Sequence, residues 1–207
     1  MFRKNNDWIF FDIGSTLVDE SIAYKRRIEK TIENTNVSFT DFYNKMVEIS
    51  EYDQKCYQKA LETYGLTMAP WCSEDEIVYE DAEDCLKSLS EKYSIGIIAN
   101  QIPGSEKRLE KMGLLRYIDL VAASAEEGVS KPDLRIFEIA LSKAKCKAGR
   151  AVMVGDRLDN DIVPAKKAGM KTVWIRQGFG GLSCIRSAEE TPDLTAGSLT
   201  EVRNLFY

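Results

Sequence analysis

Asp12, Asn100, Lys131, Asp156 and Asp161 each fall at the end of a short apolar run or in a glycine-led turn, and their types could do chemistry together. An Asp carboxylate can attack an electrophilic centre and split one hard step into two through a covalent intermediate. Two carboxylates can share a hard divalent cation such as Mg²⁺, which takes oxygen ligands in a near-octahedral shell. A Lys supplies a fixed positive charge beside a reacting anion, and such electrostatic stabilisation is usually the largest catalytic contribution. A single Asp at a strand end is most often a helix cap or a turn residue. Strand ends that offer Asp12, Asn100, Lys131 and the pair Asp156–x4–Asp161 in succession are not the pattern of caps.

The runs before these residues set their positions. Trp8–Ile13, Ser94–Ala99, Asp119–Ala123, Ala151–Val154 and Lys171–Ile175 are apolar without alternation, which is how strands buried on both faces read. Between the later runs, Ile136, Phe137, Ala140, Leu141 and Ala144 recur at helical spacing within Leu134–Ala144. Strand alternating with helix predicts an α/β fold with a parallel sheet, and ligands bind outside the carboxyl ends of such strands.

One interval, from Ile13 to Ile95, is far longer than a crossover needs. Within it Phe42, Met46, Ile49, Tyr52, Cys56 and Ala60 predict one long amphipathic helix, opened by a capping box at Ser38–Asp41 and stopped at Gly65. An earlier helix is expected over Ser21–Glu33, and another after Ser73 with Glu76 as its capping partner. A crossover helix begins near Asp81. Residues 18–76 thus read as a helical insertion, with the core formed by residues 1–17 and 77–207. Gly178-Phe-Gly-Gly181 reads as a surface loop without the spacing of a nucleotide site. Asp193–Ala196 is expected as a short edge strand and Leu199–Phe206 as a terminal helix.

Composition narrows the chemistry. With 44% hydrophobic residues in 207, a packed core forms and wholesale disorder is excluded. The formal charge of −5 argues against a nucleic-acid partner. Histidine is absent, which removes Ser-His-Asp and Cys-His catalysis and imidazole zinc sites. Cys56, Cys72, Cys85, Cys146 and Cys184 form no CxxC pair and are odd in number, so free thiols in a reducing compartment are expected. No run approaches the ~18 apolar residues of a membrane span, and the apolar stretch near the start is too short for a signal segment. A cytoplasmic protein with no membrane partner is expected.

The motifs, taken in order, resemble those of the haloacid dehalogenase (HAD) superfamily over nearly the whole chain. Asp12-Ile-Gly-Ser-Thr-Leu17 is similar to its first motif, usually DxDGTL. Ala99-Asn100 stands where the second has Thr or Ser followed by Asn. Lys131-Pro-Asp133 resembles the third, and Gly155-Asp156 through Asp161 the fourth, GDxxxxD. The insertion resembles the helical cap of the C1 type. The resemblance implies a Rossmann-like core under a cap and Mg²⁺-dependent hydrolysis of a small phosphorylated metabolite through an aspartyl-phosphate on Asp12. It implies metal ligands from Asp12, the Gly14 carbonyl and Asp156, with Asp161 behind them or acting through water. Lys131 would neutralise Asp12 and the phosphoryl oxygens, and Ser15, Ala99 and Asn100 would lie in the phosphoryl-binding positions.

Two positions depart from the family. Gly14 replaces the usual second Asp, which protonates the leaving alcohol and later activates water, and losing such a group costs ~10²–10⁴ in rate. Ala99 replaces a hydroxyl. Three expectations follow: substrates with good leaving groups such as acyl or aryl phosphates, another acid with Asp19 and Glu20 nearest in sequence, or a weakly active binding scaffold. Dehalogenases also lack the second Asp, but they need no metal and have no reason to keep both acids of GDxxxxD. Phosphonate-cleaving relatives use a cap lysine, and nothing singles out Lys25 or Lys30 for that role. Tyr24, Phe42, Tyr52 and Trp71 are expected to pack inside the insertion, and Lys25-Arg-Arg27 to face solvent.

Overall fold

Ile9 and Phe11 point to one face of the first strand and Phe10 to the other, and all three are fully buried. The same alternation runs through the neighbouring strands, so each must be covered on both sides. The computed structural model describes residues 7–53 and 55–207. Its strands are β1 (Trp8–Phe11), β2 (Val18–Asp19), β3 (Ile77–Val78), β4 (Ser94–Ala99), β5 (Leu120–Ala123), β6 (Ala151–Gly155), β7 (Lys171–Ile175) and β8 (Leu194–Ala196). Its helices are α1 (Ser21–Ile32), α2 (Phe39–Ser50), α3 (Cys56–Tyr64), α4 (Ala82–Ser90), α5 (Ser105–Lys111), α6 (Ser124–Glu127), α7 (Leu134–Lys143), α8 (Val163–Lys167) and α9 (Leu199–Asn204).

Six strands form one parallel sheet in the order β5-β4-β1-β6-β7-β8. Helices α4, α5 and α9 cover one face through Leu86, Leu89, Leu109, Leu199 and Val202. The other face packs Phe10, Ile98 and Met153 against Ile136, Phe137 and Ala140 of α7 and Ala165 of α8. The expected α/β parallel core is therefore present. No helix among the described residues is long and apolar enough to cross a membrane.

Helices α1 to α3 lie between β1 and β4 in sequence and hold a separate apolar cluster of Ile28, Phe42, Met46, Tyr57, Ala60 and Leu61. The two chain segments that enter and leave this insertion pair with each other as the antiparallel ribbon β2–β3. Ser38 caps α2 by accepting the Asp41 N–H, and Gly65 closes α3 at φ +64°, both as the sequence predicts.

The long helix predicted from Phe42 to Ala60 is instead two, broken after Ser50. Carbonyls that a continuous helix would spend internally go elsewhere. Ser50 O accepts from Ser183 Oγ at 2.8 Å, Glu51 O from Cys184 N at 3.0 Å, and Tyr52 O from Arg186 at 2.7 Å. Asp53 also accepts the Lys55 N–H, a local bond that competes with helix. Tyr52 is consequently exposed rather than packed inside. The helix expected after Ser73 is a single 3₁₀ turn, Ser73–Asp75. Glu76 does not cap it, because its carboxylate is taken by Trp71 Nε1–H at 2.8 Å and by Arg108 at 2.7 Å.

Gly178 is exposed, as expected of a surface loop, but Phe179 is half-buried and Gly180 and Gly181 are buried. Phe179 packs edge-on to Tyr24 of α1 with centroids 5.0 Å apart, and lies 5.6 Å from Tyr43 of α2. The flanking glycines permit this close approach: a Cβ on Gly178 would stand 2.4 Å from Ser15 Oγ, and one on Gly180 would stand 2.3 Å from Asp156 Oδ2.

Candidate active site

Because β1 lies between β4 and β6, the residues that follow these strands, Asn100, Asp12 and Asp156, sit side by side at the carboxyl edge. The Asp12 N–H still bonds Val154 O at 2.9 Å, which extends the sheet by one residue and aims its side chain out of the edge. The chain runs from β1 to β4 on one side and only later to β6 on the other, the topology that opens a crevice for a ligand.

Lys131 Nζ lies 2.8 Å from Asp12 Oδ1 and 2.5 Å from Asp161 Oδ1. Asn100 fixes this lysine by its backbone: Lys131 N–H donates to Asn100 Oδ1 at 2.7 Å, and Asn100 Nδ2 donates to Lys131 O at 2.8 Å. Asp161 also accepts the Arg157 N–H at 3.0 Å, and its carboxyl tucks against Gly155, where a Cβ would stand 2.4 Å from Asp161 Cγ. The x4 spacing of Asp156 and Asp161 is thus the span of a loop that returns on itself through a π-turn, Leu158–Ile162.

Asp12, Asp156 and Asp161 each offer an oxygen within 4.8 Å of the others. Asp156 and Asp161 are buried. Burial, then the Asp161 and Asp12 charges, push the Asp156 carboxyl well above the usual carboxylate range. Burial pushes Asp161 up to about 6, against the pull of Lys131. Burial disfavours the Lys131 ammonium, but Asp12 and Asp161 outweigh it and hold its pKa above the ordinary value. Three crowded hard-oxygen acids against one ammonium are a donor set that fits a divalent cation.

Glu20 stands beside this group. Ser15, held at φ +52°, donates its hydroxyl to Glu20 Oε2 at 2.8 Å. Removal from water, partly offset by Ser15, lifts the Glu20 carboxyl to about 7.

A cavity of about 200 Å³ is lined by Asp12, Gly14, Ser15, Glu20, Asn100, Lys131, Asp156 and Arg157. Asp161 lies behind it, against Lys131. The predicted set is therefore brought together with one exception. Ala99 is fully buried in the core cluster beneath the strand ends and does not line the cavity, so it offers a ligand no side-chain atom. Sequence reasoning missed Tyr24, Gln101, Arg157 and Phe179, which also line it. Arg157 lies inside the predicted motif, and three glycines in four residues after β7 were the available sign of close packing around Phe179. An adjoining cavity of about 280 Å³ is more apolar, bounded by Tyr43, Tyr79, Phe179 and Leu182.

The sequence pattern of the family Haloacid dehalogenase-like hydrolase matches residues 9–175, and the chain belongs to that family. It is 34% identical over 193 residues to the glyceraldehyde 3-phosphate phosphatase of Pyrococcus furiosus, covering 82% of this chain and 80% of that one. It is 37% identical over 197 residues to the ribulose-1,5-bisphosphate 5-phosphatase of Halopiger xanaduensis, covering 80% and 82%. The solved structure of the putative HAD-hydrolase YfnB of Bacillus subtilis, bound to magnesium, has the same fold with a TM-score of 0.74 at 20% identity, covering 98% of this chain and 99% of that one.

Proposed function

We propose that this chain is a Mg²⁺-dependent phosphatase of small phosphorylated metabolites, with Asp12 as the nucleophile. The observation that carries the reading is the Asp12 carboxylate held 2.8 Å from Lys131 Nζ, within a cluster of three acids whose oxygens lie within 4.8 Å. The relatives named as sugar-phosphate phosphatases support it, and the small polar cavity suits a phosphoryl group with a compact remainder.

Asp12, Asp156 and the Gly14 carbonyl would hold the cation, with Asp161 orienting Lys131 behind them. When bound, it would neutralise phosphoryl oxygens so that one anion can approach another. Asp12 attacks phosphorus with its free oxygen while Lys131 holds the other and balances the developing charge. The ester P–O bond breaks, the alcohol leaves, and water then hydrolyses the acyl phosphate and restores the Asp12 carboxylate. Asn100 keeps Lys131 in place by its two backbone bonds. Residues 18–76 would act as the cap domain, contributing Tyr24 to the cavity wall. The five free cysteines support a reducing, cytoplasmic setting.

The retained acids of the fourth motif argue against metal-free dehalogenation, for which Asp156 and Asp161 would have no use. The test is a panel of phosphorylated metabolites with and without Mg²⁺, run beside Asp12→Asn. Mg²⁺-dependent phosphate release lost in the variant is expected. Folded protein that releases no phosphate from any of them overturns the reading.

A further inference from the structure

We infer that Glu20 is the acid–base group of this reaction, its carboxyl occupying the space into which a side chain at position 14 would project. The inference rests on the phosphatase reading and supplies the group that Gly14 cannot. A Cβ built on Gly14 would lie 2.5 Å from Glu20 Oε1, 2.9 Å from its Cδ and 3.2 Å from Oε2. An acid at position 14 and the observed Glu20 therefore compete for one volume, and this chain fills it from six residues further on.

Three observations select Glu20 among the neighbouring acids. It lines the same cavity as Asp12 and Lys131. Ser15 Oγ–H fixes Oε2 at 2.8 Å, while Oε1 is the oxygen nearest position 14. Asp19 instead accepts the Ser21 N–H at 2.8 Å and lines only the adjoining cavity, and the carboxylate of Glu76 is engaged by Trp71 and Arg108.

The proton bookkeeping closes. As Asp12 forms its bond to phosphorus, the ester P–O bond breaks and its electron pair goes to the leaving oxygen, which takes the proton of the Glu20 carboxylic acid. The resulting Glu20 carboxylate then accepts a proton from water as that water attacks phosphorus. The P–O bond to Asp12 breaks, inorganic phosphate leaves, and Glu20 is protonated again. Both steps use one carboxyl group in opposite senses, as microscopic reversibility allows.

The test compares benzyl phosphate, whose alkoxide must be protonated to leave, with p-nitrophenyl phosphate, whose phenolate leaves unaided. Melting curves first establish that Glu20→Gln, an isosteric change, folds. The expected result is a fall in kcat/KM of ~10²–10⁴ on benzyl phosphate and a far smaller fall on p-nitrophenyl phosphate. Because water activation is also lost, a burst of p-nitrophenolate should precede slow turnover, with a phosphorylated chain in the intact-mass spectrum. The double variant Gly14→Asp with Glu20→Gly should recover at least ~10-fold over Glu20→Gly alone on benzyl phosphate. Equal kcat/KM for wild type and Glu20→Gln on both esters, or an equal loss on both without a burst, overturns the assignment while leaving Asp12 chemistry standing. Failure of the phosphatase reading looks different: the wild type then turns over neither ester with Mg²⁺, or Asp12→Ala turns them over as the wild type does, and the role of Glu20 falls with it.

Discussion

Asn100 and Lys131 hold each other by a reciprocal pair of hydrogen bonds, 2.7 and 2.8 Å long, between the amide of one and the backbone of the other. The end of the neighbouring strand thus holds the backbone of the lysine that faces Asp12, while Asp161 holds its ammonium. Asn100→Ala should remove both bonds, cost about 1–3 kcal/mol, and lower kcat by at least ~10-fold with little change in KM. Asn100→Asp keeps the acceptor but sets a carboxylate against the Lys131 carbonyl, and should fare no better. Steady-state kinetics and denaturant melts check both, and unchanged kcat in either would show that the loop places Lys131 alone.

The edge of this sheet was legible because its strands are buried on both faces, so their apolar runs end abruptly at Asp12, Asn100 and Asp156. What was not legible depends on partners distant in sequence. The break after Ser50 is set by hydrogen bonds from Ser183, Cys184 and Arg186, and no local pattern near Ser50 announces them. Phe179 reads as part of a loop until Tyr24 is beside it. Asp19 and Glu20 are both candidate acids in the sequence, and only the space above Gly14, which contains the Glu20 carboxyl, separates them. Ala99 fills the position of a family hydroxyl, yet its methyl joins the core instead of the cavity.

Gly155 is fixed by Asp161. A methyl group there would begin 2.4 Å from both Cγ and Oδ2 of that carboxyl. Gly155→Ala should cost about 1–3 kcal/mol through overpacking. It should also displace Asp161 from Lys131, seen as a lower melting temperature together with weaker Mg²⁺ binding by calorimetry. A variant that melts and binds Mg²⁺ as the wild type does would show that the turn relaxes without moving Asp161.

Mg²⁺ should stabilise the folded chain, by about 2.7 kcal/mol at 100 times its dissociation constant, and EDTA should reverse the shift. Asp156→Asn should abolish the shift and yet raise the melting temperature of the metal-free protein. The sign follows from its environment. Burial and the Asp161 and Asp12 charges raise the carboxyl pKa in the folded state, so the ionised acid opposes folding at neutral pH. A metal-free variant less stable than the wild type would contradict this.

Glu126 accepts the N–H groups of Gly104 at 2.9 Å and Ser105 at 3.3 Å, closing the start of α5. Its slight burial raises its pKa, but these bonds outweigh it and hold the carboxyl below its ordinary 4.5. A depressed acid adds stability above its unfolded pKa and loses it as pH falls through the folded one. Wild type and Glu126→Gln should therefore differ in melting temperature at neutral pH and converge as pH falls through the depressed folded pKa, below its ordinary 4.5. A difference independent of pH would mean that the carboxylate charge is not what matters.

Phe179 joins the loop after β7 to two helices of the insertion through Tyr24 and Tyr43, and its ring lines both cavities. Aromatic pairs of this kind contribute about 0.5–1.5 kcal/mol each beyond buried area, so Phe179→Leu should cost about 1–3 kcal/mol in all. The substitution leaves the Asp12–Lys131 pair itself intact, although all three residues line one cavity. The chemical step should then be preserved and substrate retention weakened, giving a several-fold rise in KM with kcat held. A double-mutant cycle with Tyr24→Leu should show coupling, since the two rings meet edge to face at 5.0 Å. Additive effects in that cycle would mean that the loop and the insertion are held together by other contacts, chief among them the bonds from Ser183 and Arg186 to the end of α2.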